Sequence, residues 1–293
     1  MTPGYDQSLY ILAFDHRTSF STKLFGIAGT PSPEERRRIQ EAKGIILDGL
    51  HAAAEAAPAG TVGALVDEEH GAAVAREAKE HGLPLAMSAE RSSVPEFEFE
   101  YGDDFAQHIE AFEPDFVKIL ARYNPEGDRE LNRRQAERLA RLSDYLAPRE
   151  TKYLFELLVP LEPEQQQSDR ARLVAAAIAE LQAAGVEPDI WKVEGLDTAA
   201  DFRLVADAAR AGGRDEVGCV VLGAGADEAT VANWLRQAAT VDGFIGFAIG
   251  RTIFWDALKG WLAGDHDCDA AVEIIAGNYR RTIELYESAA ATA

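Results

Sequence analysis

The chain has 293 residues, and its 47% hydrophobic content is ordinary for a globular protein with a sizeable core. Its formal net charge of −21 opposes binding to nucleic acid and to anionic membranes, because both require a basic surface. Cys219 and Cys268 lack the spacing of a disulfide framework or zinc site. We expect no signal peptide and no membrane-spanning segment, so the predicted location is the cytoplasm.

Short apolar runs alternate with longer amphipathic segments along the chain. Strands are predicted at residues 9–15, 62–68, 84–90, 116–123, 153–159, 190–196, 218–223 and 243–250. Several of these runs are apolar throughout, which is typical of strands that are buried on both faces.

Helices are predicted between these strands. They cover residues 33–57, 71–81, 103–112, 129–146, 167–184, 198–211, 227–239 and 252–263, and a final helix covers 270–288. One helix after each strand predicts a parallel sheet, and eight such units in this length predict a (β/α)8 barrel with an additional C-terminal helix. A doubly wound open sheet is the alternative, but Asp15-His16-Arg17 stands where its glycine-rich fingerprint would follow the first strand.

We interpret residues 1–293 as a single domain. The final helix carries an apolar stripe that either covers the barrel or contacts a second copy of the chain. The sequence is therefore compatible with both a monomer and a homo-oligomer.

Three ionisable residues lie inside consecutive apolar strands: Lys118, Glu156 and Lys192. A buried lysine beside a second cation loses its proton more easily and becomes a nucleophile toward a carbonyl group. We predict that Lys192 forms a Schiff base, that Lys118 is the second cation, and that Glu156, with a raised pKa, is the proton shuttle. The alternative is that these groups serve only as internal ion pairs.

Other polar residues are expected at the C-terminal ends of the strands, where barrel active sites lie. Asp15 would orient a lysine or accept a proton from a substrate hydroxyl. Gly225 and the pair Gly250-Arg251 follow the last two strands, in loops where many barrels bind phosphate. Candidate substrate-binding residues beside these are Glu68, Arg122 and Glu194.

Four motifs resemble those of the class I aldolases: Phe14-Asp15-His16-Arg17, Val117-Lys118-Ile119-Leu120, Phe155-Glu156-Leu157 and Trp191-Lys192-Val193-Glu194. The likeness extends over nearly the whole chain. It is to tagatose 1,6-bisphosphate aldolase and, more closely, to the aldolase-like domain fused to the sugar kinase of inositol catabolism. One departure is Gly223, where sugar-bisphosphate aldolases commonly carry serine.

The resemblance implies a lyase that uses neither a metal nor a cofactor. Its substrate would be a phosphorylated keto sugar or keto sugar acid. An example is 2-deoxy-5-keto-gluconate 6-phosphate, which is cleaved to dihydroxyacetone phosphate and malonate semialdehyde. The resemblance places the Schiff base on Lys192, the assisting cation at Lys118 and the proton shuttle at Glu156. It places phosphate contacts at Gly225, Gly250 and Arg251.

Two other functions are compatible with the sequence. One is a metal-dependent barrel enzyme that holds a divalent ion with Asp67, Glu68 and Asp15. The other is a non-catalytic regulator that binds a sugar phosphate.

Overall fold

A computed structural model describes residues 2–55, 57–58 and 60–292. Eight parallel strands pair in chain order, and the last pairs with the first, so the sheet is a closed barrel. The strands are β1 Leu9–Ala13, β2 Val62–Val66, β3 Leu85–Ser88, β4 Phe116–Arg122, β5 Lys152–Leu158, β6 Ile190–Glu194, β7 Gly218–Leu222 and β8 Phe244–Ile249. The predicted (β/α)8 barrel is confirmed.

The helices in the described part of the chain surround this barrel. They are α1 Thr18–Phe25, α2 Pro33–Ala54, α3 Glu68–Glu80, α4 Phe105–Phe112, α5 Arg129–Leu146, α6 Arg170–Ala183, α7 Ala199–Arg210, α8 Glu228–Ala238, α9 Arg251–Ala263 and α10 Cys268–Ala290. The helix predicted at 33–57 ends at Ala54, and its residue 56 lies outside the described residues. None of the described helices is both long and apolar enough to cross a membrane.

Two of the differences between the predicted and the observed helices have local causes. Helix α1 is absent from the sequence-based prediction, because its serine and threonine residues are weak helix formers and obscure its short pattern. Helix α3 begins at Glu68 rather than at residue 71, because the Asp67 side chain caps it by accepting a hydrogen bond from the His70 N–H. Glu68 therefore belongs to a helix and not to the end of a strand.

The inward faces of the strands divide the barrel interior into an apolar layer and a polar layer. Leu154, Phe116 and Ile190 belong to the apolar cluster that fills the centre of the barrel. Two residues further along the same strands, and hence on the same face, come Glu156, Lys118 and Lys192. The ionisable groups thus lie directly above the apolar filling, toward the C-terminal ends of the strands.

Helix α10 packs against its own barrel. The Tyr279 hydroxyl donates a hydrogen bond to the Tyr10 carbonyl, and the Tyr286 hydroxyl donates to the Phe244 carbonyl at 2.8 Å. Both tyrosines are buried, so the apolar stripe of this helix covers the barrel of the same chain.

Candidate active site

A cluster of charged side chains occupies the polar layer of the barrel. Lys118 Nζ lies 2.7 Å from Asp15 Oδ2, 2.9 Å from Glu90 Oε1 and 3.0 Å from Glu156 Oε2. The same Glu156 oxygen accepts a hydrogen bond from Lys192 Nζ at 3.0 Å. The structure therefore brings together the two lysines, Glu156 and Asp15, and adds Glu90 to them.

The sheet register explains why these groups meet. Glu156 on β5 is the direct neighbour of Lys192 on β6, and it is also the neighbour of Leu120 on β4. Lys118 precedes Leu120 by two residues, so its long side chain reaches Glu156 by extending about 7 Å along the strand direction. The carboxylate of Glu156 is thus placed between the amino groups of Lys118 and Lys192.

Lys118 is held firmly in its charged form. Burial disfavours the ammonium ion, but the carboxylates of Asp15, Glu156 and Glu90 outweigh burial and raise the pKa of Lys118 well above its usual value. A permanently charged Lys118 is the second cation that the sequence predicts beside Lys192.

The expectation of a raised pKa for Glu156 is wrong. Burial favours its neutral form, but the neighbouring charges of Lys118 and then Lys192 outweigh burial and lower the pKa of Glu156. Asp15 behaves in the same way: its burial is outweighed by the charge of Lys118 and then by Lys192, so its pKa is also lowered. Both carboxylates are ionised at neutral pH.

Glu90 belongs to the cluster but is not among the predicted site residues. It is 8% exposed, and burial raises the pKa of its carboxyl group although Lys118 and Arg17 oppose this. Its Oε2 atom is buried and has no hydrogen-bond partner in the described part of the protein. The available signal was its position, because Glu90 follows β3 just as Asp15 follows β1.

A cavity of about 420 Å³ opens above this cluster. The predicted site residues that line it are Asp15, Lys118, Arg122, Glu156, Lys192, Glu194, Gly225, Gly250 and Arg251. Its size suits a small organic ligand. Lys192, which is 4% exposed as a whole residue, is therefore part of a wall that a small molecule can approach.

The predicted placement of Glu68 in the substrate site is not what the structure shows. Glu68 is not among the residues that line the cavity. Its Oε2 atom accepts a hydrogen bond from the Tyr101 hydroxyl at 2.6 Å and lies 2.9 Å from His108 Nδ1. The cause is the early start of α3, which turns this side chain toward the loop that follows β3.

The three residues of the metal-dependent alternative do not form one site. Asp67 is fully buried in an ion pair with Lys43, Glu68 contacts His108, and Asp15 contacts Lys118. Among the described residues, no group of three or more histidine, cysteine, aspartate or glutamate side chains is arranged to hold a metal ion.

The loops after β7 and β8 form one end of the cavity. Gly225 has a φ angle of 76°, and a methyl group there would lie 2.6 Å from the Cζ atom of Arg251. The guanidinium group therefore rests on the backbone of Gly225, and α9 begins at Arg251 itself. In the described chain Arg251 forms no ion pair, whereas the cavity residues Arg17 and Arg91 pair with glutamates. This end is suited to an anion.

Glu194 and Arg122, the two other predicted contacts that line the cavity, lie on β6 and β4. The carboxylate of Glu194 contacts the Arg170 guanidinium and accepts a hydrogen bond from the Val159 N–H at 3.2 Å. Burial raises the pKa of Glu194, with Arg170 opposing. Arg122 is exposed at the end of β4, four strands away from β8, and forms no ion pair with any described residue.

His16 contributes a neutral imidazole to the cavity wall. Burial lowers its pKa to about 4, and Arg251 and Lys192 act in the same direction while Asp15 and Glu156 oppose them. Its Nδ1 atom is buried and has no hydrogen-bond partner among the described residues, and its ring packs against Phe254.

Comparison with known proteins gives a family and a fold. Residues 3–290 match the family described as uncharacterized protein conserved in bacteria (DUF2090). A fructose-bisphosphate aldolase from Plasmodium falciparum, solved in complex with TRAP and a small-molecule inhibitor, superposes with a TM-score of 0.70 at 14% sequence identity. The match covers 96% of this chain and 90% of the aldolase chain, and it shows a shared barrel fold. No curated protein sequence matches the chain.

Proposed function

The chain belongs to the DUF2090 family, and we propose that it is a class I aldolase that cleaves a carbon–carbon bond through a Schiff base on Lys192. The observation that carries this proposal is the position of Glu156 Oε2, which lies 3.0 Å from Lys192 Nζ and 3.0 Å from Lys118 Nζ at the base of an open cavity. A carboxylate that bridges two amines can take a proton from one amine while the other stabilises it.

The first steps follow from this geometry. Ionised Glu156 accepts a proton from the Lys192 ammonium group, and the free amine attacks the carbonyl carbon of the substrate. Glu156 then returns the proton to the hydroxyl of the carbinolamine, which leaves as water, and an iminium ion remains. Lys118 keeps its own proton throughout, so it stabilises the carboxylate between these transfers.

The cleavage step uses the iminium ion as an electron sink. A base removes the proton of the hydroxyl on the carbon that becomes the aldehyde, the carbon–carbon bond breaks, and its electrons neutralise the iminium nitrogen as an enamine. Asp15 is suited to this role because it lines the cavity and is ionised beside Lys118. Protonation and hydrolysis of the enamine then release the ketone product and regenerate Lys192.

The proposed substrate is a phosphorylated keto sugar or keto sugar acid. Arg251, Gly225 and the N-terminus of α9 would bind its phosphate, because this end of the cavity combines a helix N-terminus with a guanidinium group that forms no ion pair with any described residue. The motif resemblance favours 2-deoxy-5-keto-gluconate 6-phosphate, which yields dihydroxyacetone phosphate, and hence a role in inositol catabolism.

The proposal is tested by assaying the release of dihydroxyacetone phosphate. The panel is 2-deoxy-5-keto-gluconate 6-phosphate, tagatose 1,6-bisphosphate and fructose 1,6-bisphosphate, and Lys192→Met is the control variant. We expect turnover of at least one compound and its loss in the variant. Binding of these compounds by both proteins, without turnover by either, would instead indicate a sugar-phosphate regulator.

A further inference from the structure

A lysine outside the cavity makes close contacts to the strand end that carries Asp15. Lys43 lies on α2 and is fully buried. Its Nζ atom donates hydrogen bonds to the Phe14 carbonyl at 2.9 Å and to the His16 carbonyl at 3.2 Å. These two carbonyl groups flank Asp15 on either side.

We propose that Lys43 is a positioning residue that fixes the backbone of Asp15 for the carbon–carbon cleavage step. This inference rests on the function proposed above. It concerns a residue that does not line the cavity and that acts on the reaction through Asp15.

The local backbone shows why the two hydrogen bonds from Lys43 are needed to hold Asp15 in place. Strand β1 ends at Ala13, the ladder of hydrogen bonds ends with Phe14 N–H donating to the Leu65 carbonyl at 2.9 Å, and α1 begins only at Thr18. Asp15 therefore lies in a connection that neither the sheet nor the helix holds. Its carboxylate must nevertheless stay 2.7 Å from Lys118 Nζ.

Lys43 is itself held by contacts with residues of two further elements. Lys43 forms an ion pair with Asp67, and Asp67 caps α3 through the His70 N–H at 2.8 Å. The Lys43 ammonium group also lies 5.5 Å from the ring centre of Phe20 on α1. Lys43 thus connects α2 and the start of α3 to the connection that carries Asp15.

A purely structural ion pair is the competing explanation, and the two make different predictions. A buried pair that serves only stability can be replaced by apolar residues of similar volume with little cost to folding. The Lys43→Met/Asp67→Leu double variant makes this replacement, and it removes the donor to both carbonyl groups. The Asp67→Asn variant keeps Lys43 and one oxygen that can cap α3, and it replaces the oxygen that contacts Lys43 with an amide nitrogen, so the ion pair is lost while Lys43 keeps both backbone acceptors.

The experiment measures thermal unfolding, borohydride trapping of Lys192 with dihydroxyacetone phosphate, and kcat and KM for the best substrate of the panel. In the folded double variant we expect trapping to persist, KM to stay near the wild-type value and kcat to fall about 10-fold or more. In Asp67→Asn we expect lower stability but near wild-type kcat.

Three results would overturn the proposal. They are a folded double variant with wild-type kcat, a double variant that loses trapping as severely as cleavage, and a loss of kcat in Asp67→Asn. A loss of kcat in Asp67→Asn would overturn the proposal even where the double variant does not fold. Absence of trapping in the wild-type protein would refute the proposed Schiff base itself, and it is recognised before any variant is made.

Discussion

Glu156 and Lys192 are direct neighbours on β5 and β6, and Glu156 Oε2 lies 3.0 Å from Lys192 Nζ. Their contact follows from the pairing of two adjacent strands, so it does not depend on the conformation of a loop. Elements of regular structure hold catalytic groups more rigidly than loops do. The proposed amine chemistry thus has its nucleophile and its proton shuttle on paired strands of the barrel and not on loops.

Replacing Glu156 with glutamine tests its role as proton carrier. The amide keeps the shape of the side chain but cannot exchange a proton, so we expect kcat to fall by about 100- to 10,000-fold while KM changes little. Steady-state kinetics on the best substrate of the panel measure this. Glu130→Gln on the exposed face of α5 is the control and should retain wild-type kinetics. A Glu156→Gln variant with wild-type kcat would remove Glu156 from the mechanism.

Replacing Lys118 with methionine tests the charge balance of the cluster. The change leaves Asp15, Glu90 and Glu156 without their shared cation, so we expect a loss of about 3–5 kcal/mol in the free energy of unfolding at pH 7. In the wild-type protein the lowered pKa of Asp15 and Glu156 contributes stability that is present above their unfolded-state pKa and is lost as the pH falls.

In the variant we expect the same carboxyl groups to have raised pKa values. Their protonation at low pH then removes the buried negative charge that Lys118 no longer balances. The stability difference between wild type and Lys118→Met should therefore shrink as the pH falls from 7 toward 4. Denaturant unfolding at several pH values measures it. A difference that is independent of pH would show that Lys118 contributes packing rather than charge.

Replacing Gly225 with alanine tests the phosphate end of the cavity. The φ angle of 76° is unfavourable for alanine, and the new methyl group would push against the Arg251 guanidinium. Gly264→Ala is the matched control, because Gly264 has a φ angle of 78° and a methyl group there would have no neighbour within 4 Å. Both variants should lose similar stability, about 1 kcal/mol.

Only Gly225→Ala should raise KM for phosphorylated substrates and weaken inhibition by inorganic phosphate. Isothermal titration with inorganic phosphate measures the effect directly. Equal affinity of both variants for phosphate would place the phosphate site elsewhere.

His16 is expected to make the fold sensitive to mild acid. Its pKa is about 4 in the folded chain, below the ordinary histidine value of about 6.5. The unfolded chain therefore binds a proton at a higher pH than the folded chain, and the free energy of unfolding falls as the pH drops from 6.5 to 4. His16→Gln should show a shallower decline over the same range in denaturant unfolding. Identical slopes for the two proteins would contradict a buried neutral imidazole.

The barrel and its central residues could be predicted because local signals repeat along the chain. Each strand is a short apolar run, and a lysine or glutamate inside such a run is conspicuous. Alternation along the strand then indicates which polar residues share a face, and this places Glu156, Lys118 and Lys192 in one layer. The pKa of Glu156 could not be predicted in this way, because its sign depends on two lysines whose distances follow from the closed barrel.

Lys43 and Glu90 were missed for different reasons. Lys43 lies on the apolar face of α2 between Ile39 and Ile46, and this unusual position was the one signal in the sequence. Its partners on β1 and α3 are distant in the chain, so the purpose of that position emerges only from the packing of α2 on the barrel. Glu90 follows a four-residue strand, and its contact with Lys118 depends on the register between β3 and β4.

The most direct test of the account is reduction with borohydride in the presence of dihydroxyacetone phosphate, followed by mass spectrometry of the digested protein. We predict one covalent adduct, located on the peptide that contains Lys192, with the Lys118 peptide unmodified and with no adduct in Lys192→Met. Full turnover of a keto sugar phosphate by a protein whose Lys192 peptide stays unmodified under these conditions would contradict the Schiff-base mechanism.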